Sequence, residues 1–274
     1  MFLKTSECVK AMNKKVAVVT GGNSGIGKCT ALALKNKGLT VYDFSRRDIK
    51  TDGIFHISVD VTDEDAVKSA VEKVISEQGR IDILINCAGF GISGACEFTA
   101  LQSAKKQFDV NFFGTVNVSK AVIPFMREAG RGRIVNISSV AAVAHIPFQT
   151  YYSASKAAID SFTQCLGNEV RPFGISVCAV QPGDIRTEFT TAREKTFLGD
   201  DIYEGRISKS VSGMEKDEEN GMSPEKAGEY IAGISLKKNV KPLYAIGFSY
   251  KFLSVLCKIF PSRIRNRIVG ILYS

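Results

Sequence analysis

The sequence has no tryptophan, only two histidines, and seven cysteines that never form a C-x-x-C pair. Cys8, Cys29, Cys87, Cys96, Cys165, Cys178 and Cys257 are odd in number and scattered, which argues against both a disulfide framework and a zinc site. Buried, reduced thiols are expected instead. His56 and His145 are too few and too isolated for a metal centre. His145 lies close to a tyrosine motif described below and is a candidate substrate contact. Prolines number seven, and no linker, low-complexity stretch or internal repeat interrupts the chain. No apolar run approaches the roughly 18 residues that a membrane span needs. The first such run, VAVV at 16–19, is too short for a signal-peptide core. The expectation is a single, metal-free, cytoplasmic domain over residues 1–274.

Acidic side chains are also missing, but only from one region. The chain carries a net charge of +8, and after Glu229 it has no acid at all. Lys237, Lys238, Lys241, Lys251, Lys258, Arg263, Arg265 and Arg267 account for the whole excess. A nucleic-acid protein would more often pair a basic stripe with a recognisable motif. None is present, so no nucleic-acid partner is expected.

What the sequence does have is alternation. Short β-branched runs (16–20, 40–45, 54–60, 81–86, 132–138 and 175–181) are separated by helical patterns, among them 62–79, 100–129 and 151–170. In 62–79, Val67, Ala70, Val71, Val74 and Ile75 keep helical spacing, and acids crowd the first turn. Apolar strands alternating with helices predict an α/β fold of the Rossmann type, a doubly wound parallel sheet covered on both faces. Ligands in such sheets bind beyond the carboxyl ends of the strands.

The loop after the first strand reads TGGNSGIGK, with Gly21, Gly25 and Gly27 spaced G-x-x-x-G-x-G. It leaves a strand and enters a helix, as a pyrophosphate site requires: glycine admits close backbone approach, and the helix N-terminus offers free N–H groups. The second strand ends in Ser45, Arg46 and Arg47, whereas Asp43 comes too early to sit at the tip. An acid at this tip would accept from a ribose hydroxyl, but arginines suit a 2′-phosphate. This favours NADP(H), with Arg46 the preferred contact.

Residues 151–160 read YYSASKAAID. Tyr152 and Lys156 are four apart and share a helix face. Tyr151 is five from the lysine and turned away from it. A tyrosine beside an ammonium can exchange a proton with a carbonyl or alcohol oxygen near working pH. Ser138 and Ser139 end the fifth strand on opposite faces, so one of them points into the pocket.

Taken together, these motifs resemble the short-chain dehydrogenase/reductase family over about residues 15–190. The matches are T-G-x-x-x-G-x-G at Thr20 to Gly27, an N-N-A-G variant at Asn86 to Gly89 with Cys87 in second place, Asp60 after the third strand, Asn111, Y-x-x-x-K at Tyr152 and Lys156, and Pro182-Gly183 with Thr187. The resemblance selects Ser139 over Ser138. It implies hydride transfer at a nicotinamide, with Tyr152 as general acid/base. Lys156 would lower its pKa and hold the ribose, Ser139 would orient the substrate oxygen, and Asn111 would hold a relaying water. It further implies a cofactor cradle of Gly21, Asn23, Ser24, Gly25, Ile26, Gly27, Ser45, Arg46, Arg47, Asp60, Val61, Asn86, Ala88, Gly89, Pro182, Gly183, Ile185 and Thr187. The family often forms dimers or tetramers through helices near 100–129 and 151–170, so a homo-oligomer is expected.

Beyond the motifs, 188–222 is long and polar and is expected to be a mobile substrate cover, in a covering segment that extends to about 235. Ser223 and Pro224 restart a helix. The tail, about 248–274, mixes apolar and basic residues and is divided by Pro261. It is expected to wall the substrate mouth or pair with another subunit; contact with an anionic membrane surface is a further possibility. The tail and the VYDFSRR turn look similar to hydroxysteroid and retinol dehydrogenase-like members. The leading expectation is therefore oxidoreduction of a lipophilic secondary alcohol or ketone, steroid or bile-acid in type. A 3-oxoacyl carrier or thioester reductase and a non-catalytic NADP-binding regulator are the alternatives.

Overall fold

Seven strands pair side by side, all parallel, in the order β3-β2-β1-β4-β6-β7-β9. They are β1 (Val16–Thr20), β2 (Thr40–Ser45), β3 (Phe55–Ser58), β4 (Ile83–Asn86), β6 (Gly132–Ile137), β7 (Ile175–Pro182) and β9 (Leu243–Ile246). A two-stranded parallel pair, β5 (Ile92–Ser93) with β8 (Glu194–Lys195), stands apart. This computed structural model describes residues 14–273. Cys8, Ser274 and the side chain of Cys257, named above, lie outside the described residues.

The doubly wound expectation holds, and its six strands are all present. The third and fourth pair over shorter stretches than expected. Val59 has left the ladder, bonding back only to the Ser45 carbonyl. Before β4, the Asp82 carboxylate instead takes the Val16 N–H at 2.8 Å. Sequence reading missed the two-residue β5 and β8 and, in the main sheet, β9, four residues at the far edge.

Successive residues of β1 face opposite sides. Val16 and Val18 pack with Val71, Val122 and Met126 from α2 (Glu64–Gln78) and α4 (Gly114–Glu128), and α5 (Thr150–Val170) completes that layer. Ala17 and Val19 pack with Leu34 of α1 (Gly25–Asn36) and Ile231 of α8 (Pro224–Ser235). Each large aliphatic side chain buried this way contributes about 1.5–3 kcal/mol. Apolar residues on both strand faces are what made these runs legible as a covered parallel sheet.

The helical stretch expected at 100–129 has an internal defect. It runs as α3 (Leu101–Phe108), a single π-helical turn (Asp109–Phe113) and then α4. Asn111 sits in that turn. Such bulges expose a residue's partners to unusual geometry and recur at functional sites.

The expected cover is built from regular elements: α6 (Phe189–Ala192), β8 and α7 (Arg206–Glu219). Ile207, Val211 and Met214 of α7 pack with Ala95 and Phe148. Helix α8 starts as expected, with Ser223 as N-cap and Pro224 at the first position.

In the tail, α9 (Phe248–Ile259) and α10 (Ser262–Tyr273) flank Pro261. Tyr250 lies directly on Gly183, where an added Cβ would fall 2.0 Å from its ring. Among the described residues, no helix is long and apolar enough to cross a membrane.

The cysteine expectation needs correcting. Cys178 is buried and Cys29 and Cys87 partly so, but Cys96 and Cys165 are exposed. Scatter in the sequence excluded disulfides and zinc without saying which thiols the helices turn outward.

Candidate active site

Strand order reverses between β2 and β4 on either side of β1, which places the glycine loop at the switch point of the sheet. Gly21 has φ +66°. A Cβ on Gly27 would fall 2.2 Å from the Gly21 carbonyl oxygen, so the loop closes only around glycine. Ser24, the N-cap of α1, is extended and its side chain caps nothing. The first N–H groups of α1 are therefore left to the cleft. The Thr20 hydroxyl accepts from the N–H groups of Cys87 at 2.9 Å and Ala88 at 3.0 Å, tying the ends of β1 and β4 together. Only the backbone of Cys87 is used, so the departure from the family asparagine leaves this tie intact.

Above the strand ends runs a cleft of about 670 Å³. Every residue expected in the cofactor cradle lines it except Asn86. Here the expectation is corrected. The Asn86 side chain turns beneath the cleft and donates to Ser119 Oγ at 3.0 Å and Asn136 Oδ1 at 2.9 Å, cross-linking β4 to α4 and β6. Arg46 and Arg47 line one end, and Arg46 stands 4.0 Å from the Asp60 carboxylate. Asp43 is buried, accepting from Ser45 and His56, and lies off the cleft wall. Two guanidiniums and uncapped helix N–H groups form a donor set that fits a phosphorylated dinucleotide.

At the other end stand Ser139, Tyr152 and Lys156. The alternation between the two serines is resolved. Ser138 donates its hydroxyl to the Lys156 carbonyl at 3.1 Å, whereas the Ser139 hydroxyl accepts from the Ala141 N–H at 3.1 Å and lines the cleft with Tyr152. Tyr151 points away and bonds Cys96, as its spacing from Lys156 required. Lys156 donates to the Ile137 carbonyl at 2.9 Å. Burial pushes the Tyr152 hydroxyl up to about 12, while the Ser139 hydroxyl and the Arg193 charge pull it down. Burial brings the Lys156 ammonium down to about 8. In this structure burial outweighs every charge acting on the tyrosine, and the expected pull from Lys156 is not among the effects resolved.

Asn111 is fully buried behind the cleft. Its carboxamide accepts from Phe90 N–H and donates to the Phe90 carbonyl and to Ser155 Oγ, at 3.0, 3.0 and 3.2 Å. It fastens the Gly89–Phe90 turn beside Lys156. His145 does not line the cleft; its imidazole lies 3.3 Å from Arg265 in α10, correcting the substrate-contact expectation.

Sequence reading missed much of the substrate end. Val140, Ile146, Phe189, Ala192 and Met214 give it an apolar wall, with Asp184, Arg193 and Glu218 beside them. Apart from Asp184, which follows Pro182-Gly183, none sits in a motif. The only signal was the helical spacing of Ile207, Val211 and Met214 within the polar segment.

Comparison with known proteins places these features in context. A family model described as short chain dehydrogenase matches residues 15–197. A 3-ketodihydrosphingosine reductase of Bacteroides thetaiotaomicron is 46% identical over 232 residues, covering 83% of this chain and 86% of that protein. A solved short-chain dehydrogenase from Streptomyces avermitilis superposes with a TM-score of 0.80 at 30% identity, covering 94% of this chain and 96% of that one. ElxO, solved with NADP bound, superposes at 0.73 with 27% identity, covering 87% and 99%.

Proposed function

This chain belongs to the short-chain dehydrogenase/reductase family, and from that premise we propose that it is an NADPH-dependent reductase of a keto group on a long-chain lipid of the 3-ketodihydrosphingosine kind. The observation that carries the reading is the grouping of Ser139, Tyr152 and Lys156 on the wall of a cleft whose other end holds Arg46 and Arg47. The 46% identical relative supports an acyl-chain ketone in place of the steroid or bile acid expected from the tail. The apolar wall of Val140, Ile146, Phe189, Ala192 and Met214 suits such a chain.

Bound NADPH supplies the hydride. Arg46 and Arg47 would hold its 2′-phosphate, and the N–H groups at the start of α1 would receive its pyrophosphate. Tyr152, protonated at neutral pH, donates its phenolic proton to the carbonyl oxygen as that oxygen becomes an alcohol. Ser139 holds the same oxygen in line. Lys156 stabilises the tyrosinate left behind, and Asn111 keeps the turn beside Lys156 in place. Residues of α6 and α7 wall the substrate end, and Tyr250 backs that wall at Gly183 and Asp184.

The deciding experiment follows NADPH consumption by the purified protein with 3-ketodihydrosphingosine, a 3-oxoacyl thioester and a ketosteroid. Turnover of the first above the others is expected. Ketosteroid turnover alone would restore the earlier expectation, and NADPH binding without turnover on any of the three would favour a regulator. The exposed Leu101, at the start of α3, and Phe113, just before α4, suit the pairing of copies expected of the family, which light scattering would detect as a dimer or tetramer.

A further inference from the structure

One wall of the cleft, beyond Tyr152, has a charge pattern that proton and hydride transfer leave unused. Arg193 follows α6, and its side chain is 1% exposed. The guanidinium lies 5.5 Å from the centroid of the Phe189 ring, which in turn lies 5.8 Å from that of Tyr152. One nitrogen, Nη2, pairs with Glu218. Arg193 lines this cleft, and its Nη1 is buried with no hydrogen-bond partner among the described residues. A buried donor left without an acceptor is destabilising, so a ligand oxygen that completes it is favoured there.

Carboxylates outnumber this cation. Glu218 accepts from both Arg193 and Thr190. Asp184, at the end of β7, accepts the Tyr250 hydroxyl. Its carboxyl is pushed up to about 7, first by burial and then by the charges of Asp217 and Glu218. The other charged pair on this wall, Lys106 with Glu194 at 3.0 Å, is balanced. The wall therefore offers an unmet donor beside the paired Glu218 and an Asp184 only partly ionised at neutral pH, whose ionisation a bound cation would complete. Its complement is a small group bearing both an oxygen and a cation.

We propose that Arg193, Glu218 and Asp184 form a head-group site for a 2-amino-1-hydroxy-3-ketone. Arg193 Nη1 donates to the primary hydroxyl, the carboxylates of Glu218 and Asp184 take the ammonium, and the neighbouring keto carbon is left facing Tyr152. The apolar chain leaves along Phe189, Ala192 and Met214. This inference rests on the reductase reading above and adds which end of the substrate is recognised, and by what.

The test compares kcat/KM, with NADPH, for 3-ketodihydrosphingosine and for its analogue lacking the amine. The wild-type protein is expected to prefer the amine at least tenfold. Glu218→Gln and Asp184→Asn are each expected to cut that ratio tenfold or more, chiefly through KM. Arg193→Lys is expected to raise KM for both ketones while NADPH affinity, followed by fluorescence, stays as in wild type. Equal use of the two ketones by the wild type, or variants that leave the ratio unchanged, would overturn the head-group site. So would an Arg193→Lys effect confined to NADPH affinity. If Glu218→Gln does not fold, the ratios of the wild type and Asp184→Asn decide. Failure of the wild type on both ketones, with turnover of another carbonyl compound, would instead remove the reductase reading for this substrate class.

Discussion

Lys156 Nζ lies 5.8 Å from the centroid of the Tyr152 ring, one turn along α5; Lys156 is buried and Tyr152 half-buried. Burial acts on them in opposite senses. It holds the proton on the phenol and loosens the proton on the ammonium. At neutral pH both protons are in place, so the pair is set to give a proton to a carbonyl oxygen. Alcohol oxidation would have to begin from the less accessible tyrosinate.

Removing the phenol separates binding from chemistry. Tyr152→Phe keeps the ring against Phe189 and is expected to bind NADPH as the wild type does. Ketone reduction should fall by about 10²–10⁴, the usual worth of a positioned acid. Fluorescence titration and NADPH consumption check the two halves. Near-normal turnover would sink the assignment of Tyr152.

The ammonium sets the alkaline limit. With Lys156 at about 8, the reduction rate is expected to be flat through neutral pH and to fall above about 8 as that charge is lost. A pH profile of kcat/KM that stays level through the lysine's ordinary range would contradict this.

Cofactor choice should rest on the tip of β2. Arg46→Ala is expected to weaken NADPH binding by about ten- to a hundredfold, the worth of about 1.5–3 kcal/mol for a hydrogen bond to a charged group. NADH binding should change little. Equal losses for the two cofactors would place the 2′-phosphate elsewhere.

Asp184 carries a pH-dependent cost. Its folded-state value is raised from 3.8 to about 7, so between these values the folded chain holds a proton that the unfolded chain has released. Stability from this group therefore falls as pH rises through that window and stays low above it. Asp184→Asn removes the dependence and is expected to raise Tm relative to wild type at about pH 8 but much less near pH 4. Melting curves showing the same difference at both values would refute it.

Legibility followed local geometry. Tyr152 and Lys156 could be paired from one helical turn, and Gly21, Gly25 and Gly27 could be read from the strand-to-helix context. Buried runs such as VAVVT declared their strands. Asn86 could not be placed, because its neighbours Ser119 and Asn136 come from elements far along the chain. The pairing of Arg193 with Glu218 depends on α7 seating against Ala95 and Phe148, a tertiary fact with no spacing rule. Strand β9 is four residues long, and among the described residues it pairs with β7 alone.

That last pairing fixes an order of events during synthesis. The ribosome releases the glycine loop first, then Tyr152 and Lys156, then β7, and only much later the four residues of β9. Until they arrive, one edge of β7 has no partner, and Tyr250 has not reached Asp184. A nascent chain therefore holds its proton donor before it holds the wall that encloses it. For that interval its open edge is the part most exposed to mispairing with other chains.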